Sequence, residues 1–388
     1  VWVGERLDVG LAIFSPSPRS YSVTGAPSNQ CNAQGCTFSI GPQSLESEND
    51  YFYIPSFAYN WMLNSQSSAG VTVYGNGGMN TEWQGGTATY FDGAAFTTTP
   101  GTYGAGTAGV NLEQLFINGS YARKFAQDKA SWGLSLIFAY QRFEAQGVGT
   151  FAPFSSDAAN LSNNGVDDST GFGAKLGIQG EVMPGLILAA SYQSEMEMSE
   201  FDKYKGLFAE QGGFNIPATL TIGLTYAFAN KSKIVFDVQQ IMYSDIKSIA
   251  NPISQLQTAC NPQVSPPAGA GCLGASDGAG FGWEDMLIYK IGYQWMTGKD
   301  WTWRVGYSQG DQPIPESETM FNILAPGIIE QHLTFGLTKG LDQKSEFNFA
   351  FMYALENSVK GASAFDPGQQ IELEMQQYEL EFAYARKF

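Results

Sequence analysis

Hydrophobic and polar side chains alternate with period two along most of this chain, most cleanly in its last eighteen residues, IELEMQQYELEFAYARKF. Tyr378, Leu380, Phe382, Tyr384 and Phe388 fall on one face, and Glu379, Glu381, Ala383 and Ala385 on the other. The first face suits lipid and the second a hydrated lumen, and the run closes on an aromatic residue, as the final strand of an outer-membrane barrel does. Segments of this kind recur about fourteen times, over 3–22, 50–63, 68–84, 108–124, 130–147, 170–182, 185–200, 216–229, 232–249, 282–296, 300–310, 327–341, 344–359 and 371–388. Each is long enough for the roughly 9–11 residues of a tilted spanning strand. In 343–356, Phe347, Phe349, Phe351, Tyr353 and Leu355 form one row and Asn348, Ala350, Met352 and Ala354 the other; in 216–229, Leu220, Ile222, Leu224, Tyr226 and Phe228 oppose Thr219, Thr221, Gly223 and Thr225.

The connections alternate in length. LNSQ, the turn at Phe125–Lys129, MPG, ANK, TGKD and LDQK are short, whereas 23–49, 85–107, 148–169, 201–215, 250–281, 311–326 and 360–370 are long. Bacterial barrels have an even strand number, short periplasmic turns and long outer loops, so the long connections are expected at the cell surface. The expected fold is all-β: a 14-stranded antiparallel transmembrane β-barrel, one outer-membrane domain over residues 1–388. A soluble β-sandwich would also alternate, but the loop parity, the aromatic strand ends and the terminal Phe388 favour the barrel.

Composition narrows the picture. The chain is 43% hydrophobic yet has no apolar run near the ~20 residues of a spanning helix, which argues against a helical membrane protein. With 45 Gly, 27 Phe and 19 Tyr but only 15% charged residues, it suits a barrel with aromatic girdles and small inward residues. A net charge of -17 would repel nucleic acid. Cys31 with Cys36 and Cys260 with Cys272 sit in Gly/Pro/Asn-rich loop sequence, and local disulfides in an oxidising compartment are expected. Zinc is the weaker reading, because the chain has 1 His and neither spacing is that of a zinc knuckle. Val1 is not an initiator methionine and no signal peptide is visible, so the chain reads as a mature or truncated form.

YIPSFAYNW followed by GVTVYGNGGMNTEW, then SYQSEMEMSEF, WTWRVGYSQGDQPIP and FNFAFMYALENSVKG, in this order and spacing, resemble the FadL/TodX family. Its members are outer-membrane transporters of long-chain fatty acids and other hydrophobic compounds, and the resemblance covers nearly the whole chain. It implies a monomeric fourteen-stranded barrel among outer-membrane lipid and lipopolysaccharide, in a Gram-negative bacterium. It also implies a hatch plugging the lumen, expected upstream of Val1, and an inward kink in the third strand that opens the wall sideways. The kink matches Gly77, Gly78, Met79 and Asn80. Two adjacent glycines weaken a strand interior, and the alternative reading is a bulge that bends the strand for closure.

The function expected from this resemblance is passive uptake of hydrophobic small molecules, long-chain fatty acids or related hydrocarbons, with lateral exit; a general diffusion porin for small polar solutes is the alternative. Basic residues that would hold a ligand carboxylate are replaced, the matching positions being Gly147 or nearby, Glu284 and Gln331. Arg304 is inward by parity and matches a family position, with a structural ion pair to Glu284 or Asp285 as the competing role. Arg304, Glu284 and His332 are thus the candidate lumen-lining polar residues. Phe151, Phe154, Leu161, Leu207 and Phe208, in apolar loop sequence beside strand ends, are candidates for surface capture of ligand; self-packing of the loops is the alternative. His332 with Thr334 has the His-x-Ser-like spacing of outer-membrane phospholipases, but threonine is a poor substitute for serine and no orienting partner is evident. No catalytic residue, metal or cofactor is expected, since no phosphate loop, metal cluster or nucleotide fingerprint occurs.

Overall fold

Each spanning strand of this chain must satisfy its backbone against neighbours because lipid offers no hydrogen-bond partners, and the computed structural model, which describes residues 1–32 and 35–388, meets that demand by closure. A closed antiparallel barrel of 14 strands results. They are β1 (Arg6–Ser15, resumed at Arg19–Thr24), β2 (Gln43–Glu46, resumed at Phe52–Met62), β3 (Ser67–Gly77, resumed at Asn80–Trp83), β4 (Ala108–Phe125) and β5 (Ala130–Gln146). β6 (Asp167–Met183), β7 (Leu186–Gln193), β8 (Thr219–Ala227), β9 (Lys233–Ile241) and β10 (Met286–Thr297) follow. β11 (Trp301–Gly310), β12 (Gln331–Gly340), β13 (Ser345–Ala362) and β14 (Gln370–Lys387) complete the wall. Pairing of β1 with β14, from Arg6↔Lys387 to Ser15↔Tyr378, closes it.

The alternation has the expected sense. Leu136, Phe172, Leu176 and Ile222 are exposed on the outside, where lipid covers them, while serine, threonine and glycine line the lumen. Aromatic rings cluster where strands meet the short turns: Trp301 stacks on Trp303 at 5.4 Å and Tyr293 on Trp295 at 5.6 Å. A bulge between Ala354 and Asn357 puts an extra residue into β13 and shifts the β13–β14 register, so that Val359 turns inward to join Ile371 and Leu373, which share the lumen face of β14 with Glu379 and Glu381.

The packed hydrophobic core lies at the long-loop end rather than in the barrel wall. Phe143, Phe201, Tyr204, Phe208 and Phe214 form one ring cluster, and Phe151 joins Phe38, Tyr103, Phe321 and Phe365 in another. Together they make a folded dome of loops over the barrel. This burial corrects three strand expectations. β9 ends at Ile241 rather than 249 because Ile246 and Ile249 pack into the dome through the short helix Lys247–Ala250. β7 stops at Gln193, with Glu197–Met198 pairing on β6 and a bridge from Met196 to Ile216 beyond it, and β12 begins at Gln331 because Ile328 and Ile329 are buried in the dome.

Candidate functional site

The barrel wall departs from regular pairing at β3. β2 and β3 pair from Met62↔Ser68 to Ser56↔Tyr74, and among the described residues the ladder goes no further. β3 continues along β4 instead, with a register shift at Gln114/Leu115, then Gln114↔Gly77 and Asn111↔Asn80 to Ala108↔Trp83. Phe52–Pro55 of β2 therefore pair with β1 alone, from Phe14↔Phe52 to Leu11↔Pro55. Pro55, which has no N–H to donate, fits this one-sided segment.

Two glycines make the departure sterically feasible. Gly77 has φ +132, which side-chain-bearing residues rarely adopt, and a Cβ on Gly78 would overlap the carbonyl oxygen of Leu112. The Leu112 N–H donates to the Met79 carbonyl at 2.6 Å, keeping the interrupted stretch on β4. The dome holds the far side: Trp83 Nε1 donates to the Ile323 carbonyl at 2.9 Å and Thr81 Oγ1 to the Leu324 carbonyl at 2.8 Å. Trp83 is fully buried against Tyr21, ring centroids 4.9 Å apart. The resumed part of β3 is thus bound to the loops above it.

Behind the interruption lies a cavity of about 490 Å³, reached by Asn76, Gly77, Gly78 and Met79. Strands supply a polar floor that includes Lys175, Gln193, Thr221 and Gln239, and the dome supplies an apolar roof that includes Phe214, Ile216, Ile249, Phe281 and Trp283. This size and mixture suit a small apolar ligand. A second cavity of about 370 Å³ nearer the short turns shares Ser191 and Thr221 with the first. Val1 and Trp2 line it; Trp2 Nε1 donates to Ser131 Oγ at 2.9 Å, with Lys124 Nζ 4.4 Å above its ring.

The sequence model of the family described as outer membrane protein transport protein (OMPP1/FadL/TodX) matches residues 22–384. The chain belongs to this family. Among solved structures, the FadL/TodX barrel seen here is similar to the P. putida toluene transporter TodX, at TM-score 0.63 and 17% identity over 99% of this chain and 90% of that one. A Pseudomonas aeruginosa FadL homologue gives TM-score 0.65 and 12% identity with the same coverage, and the Ralstonia pickettii toluene transporter TbuX gives 0.57 and 16%, again over 99% and 90%. At these identities the likeness shows the fold. Among proteins of curated function, none matches the chain in sequence.

The remaining sequence candidates scatter over this FadL/TodX barrel. Arg304 is inward, but its partners are Gln294 Oε1 at 2.9 Å and Thr338 Oγ1 at 2.8 Å, so the expected ion pair with Glu284 or Asp285 is corrected. Register explains why: Gln294↔Arg304 lies toward the short turns, whereas Glu284 precedes β10 at the loop end and donates its N–H to the Pro313 carbonyl. Asp285 instead accepts from the Ser244 N–H at 2.9 Å. His332 faces Ser308 Oγ at 3.3 Å, and no group of His, Cys, Asp or Glu among the described residues could hold a metal ion. Phe151, Leu161 and Phe208 are buried in the dome, with Phe154 and Leu207 packed against them, so an open surface site made of these side chains gives way to the self-packed alternative. Cys31–Cys36 and Cys260–Cys272 are both disulfide-bonded. Sequence reasoning missed Lys175 and Trp283; the alternation of Gly173, Lys175 and Gly177 would have marked Lys175 as inward.

Proposed function

We propose that the chain is a passive uptake channel for hydrophobic small molecules, from the cell surface through the cavity and sideways out of the barrel between β2 and β3. The observation that carries this reading is that the β2–β3 ladder ends at Ser56↔Tyr74 beside a cavity lined by Asn76–Met79. A ligand leaving there stays in apolar surroundings, whereas release into water costs about 0.8 kcal/mol per methylene. The long loops face outward and the barrel acts as a monomer among outer-membrane lipid and lipopolysaccharide. Toluene, named for the transporters TodX and TbuX, and long-chain fatty acids are the ligands to test first.

The test is uptake of radiolabelled oleate and toluene by cells lacking their own transporter and expressing the full-length protein, with and without deletion of Gly77–Asn80. Uptake that stops on deletion, in cells where the barrel still assembles, supports the lateral route. Unchanged uptake removes it. The adjoining second cavity is the feature that favours the porin alternative, which requires large, stable ion conductance in planar bilayers.

A further inference from the structure

Carboxylates crowd the long-loop end of this barrel, whereas basic residues gather at the short-turn end, and on one sector of the wall they face lipid. Lys339 shares the outward row of β12 with Leu333 and Phe335, and Arg386 that of β14 with Phe382 and Tyr384. β13 runs between them: Phe347 pairs with Lys339 on one side and with Tyr384 on the other, and Ser345 pairs with Arg386. Lys344, exposed in the turn that enters β13, is tied to the same corner because its carbonyl accepts from the Lys387 N–H at 2.7 Å. Three cations thus rim an aromatic floor in which Phe382 stands 5.4 Å from Phe349 and 6.5 Å from Phe347.

The neighbouring carboxylates leave this rim positive. Asp342 accepts from the Lys344 and Ser345 N–H groups at 2.7 Å each and is spent on the turn. Asp300 stands 3.7 Å from Lys339 Nζ, an exposed contact of little strength, while the ammonium lies 4.7 Å from the ring centroid of Trp301. The β6–β9 sector has no such rim. Its outward positions at the same end are Val182, Leu186, Tyr226 and Ile234, and Lys233 shares the lumen row with Asp237, leaving Lys231 in the turn beyond.

Short turns of bacterial barrels are periplasmic, so the cationic rim meets the glycerophospholipid leaflet rather than lipopolysaccharide. We infer that the β12–β14 sector is a binding site for an anionic glycerophospholipid. Lys339, Lys344 and Arg386 meet its phosphodiester, and its acyl chains lie on Phe347, Phe349 and Phe382. Long basic side chains beside interfacial aromatic rings reach the head-group layer while their stems stay on apolar surface. A cation close to anionic lipid is worth about a fivefold gain in binding, and salt weakens it. The site is independent of what the barrel transports.

The experiment places the full chain in lipid vesicles and compares tryptophan quenching by phosphatidylglycerol and by phosphatidylcholine that carry the same brominated chains. The signal of this sector is the part lost in Trp301→Phe/Trp303→Phe, and Tyr226→Trp in that background reports on β6–β9. Phosphatidylglycerol is expected to be preferred about fivefold at Trp301 and Trp303, less at high salt, and not at position 226. Lys339→Gln with Arg386→Gln should bring the ratio toward one, whereas Lys339→Arg with Arg386→Lys should keep it. Equal quenching by the two lipids in the wild type, or a preference that survives loss of both charges, would overturn the site. The same preference at position 226 would overturn it too, by making anionic selectivity a property of the whole wall. Heat-modifiable gel migration confirms that each variant barrel is folded.

Discussion

Gly78 faces the carbonyl oxygen of Leu112 so closely that any Cβ there would overlap it. The contact is with backbone, which cannot swing aside as a flexible side chain can. Gly78→Ala should therefore push the interrupted stretch off β4, at a local cost of about 1–3 kcal/mol, and oleate or toluene uptake should fall. Gly119→Ala on β4, where a Cβ would meet nothing within 4 Å, is the control and should transport normally. Equal uptake by both variants, at matched barrel levels in the membrane, would mean that the β3 interruption does not serve transport.

Trp83 links the wall to the dome, since its ring is buried against Tyr21 and its indole N–H is held by the Ile323 carbonyl. Trp83→Ala removes a large buried side chain and should destabilise the dome by about 3–5 kcal/mol. Trp83→Phe loses chiefly the hydrogen bond and should cost about 1 kcal/mol. Hydrogen exchange at Asn80–Trp83 is the readout: amides there should open first in Trp83→Ala, ahead of Ser67–Tyr74. Uniform loss of protection along β3 would show that the resumed segment is not separately anchored.

The wall was legible in the sequence because lipid imposes one face on every strand; Phe347, Phe349 and Phe351 could not sit inward without exposing polar residues to hydrocarbon. Gly77 and Gly78 were legible for the opposite reason, being costly in a strand unless a special conformation needs them. The dome was not. Phe151 meets Tyr103, Phe321 and Phe365, partners from loops distant in sequence, and no local period signals such burial. Arg304 shows the limit between these cases: parity gave its face correctly, but its partner depends on its height in the barrel, which the Gln294↔Arg304 register fixes.

Glu318 gives the dome a pH dependence. It is buried, and its carboxylate accepts from the Ile253 N–H at 2.9 Å and from Ser317 Oγ at 3.0 Å. Burial dominates these hydrogen bonds and raises its pKa above the ordinary 4.5. The folded state therefore holds the proton more tightly than the unfolded chain does. Its contribution is complete below about 4.5 and is lost as pH rises through the elevated folded pKa. Glu318→Gln keeps an acceptor for Ile253 without the charge, so its dome should be flatter with pH in this window and firmer at neutral pH. Protease cleavage of residues 311–330 at pH 4 and pH 7 measures this. The same pH response in both proteins would place the titration elsewhere.

Lys175 and Leu176 are consecutive on β6 yet face opposite solvents, Lys175 the lumen and Leu176, 57% exposed, the lipid. A cation is tolerated at 175 because water or ligand can meet it; one residue further on, the same charge would enter hydrocarbon. Leu176→Arg should accordingly cost about 2–4 kcal/mol if it lies near the bilayer midplane and less toward either interface, where the side chain can reach head groups. Urea unfolding from lipid vesicles measures the difference, with Leu176→Ala separating loss of apolar area from gain of charge. If Leu176→Arg is no worse than Leu176→Ala, the outward face assigned to β6 is wrong. Because a one-residue slip exchanges the faces, Lys175 would then point into lipid and could not line the cavity at all.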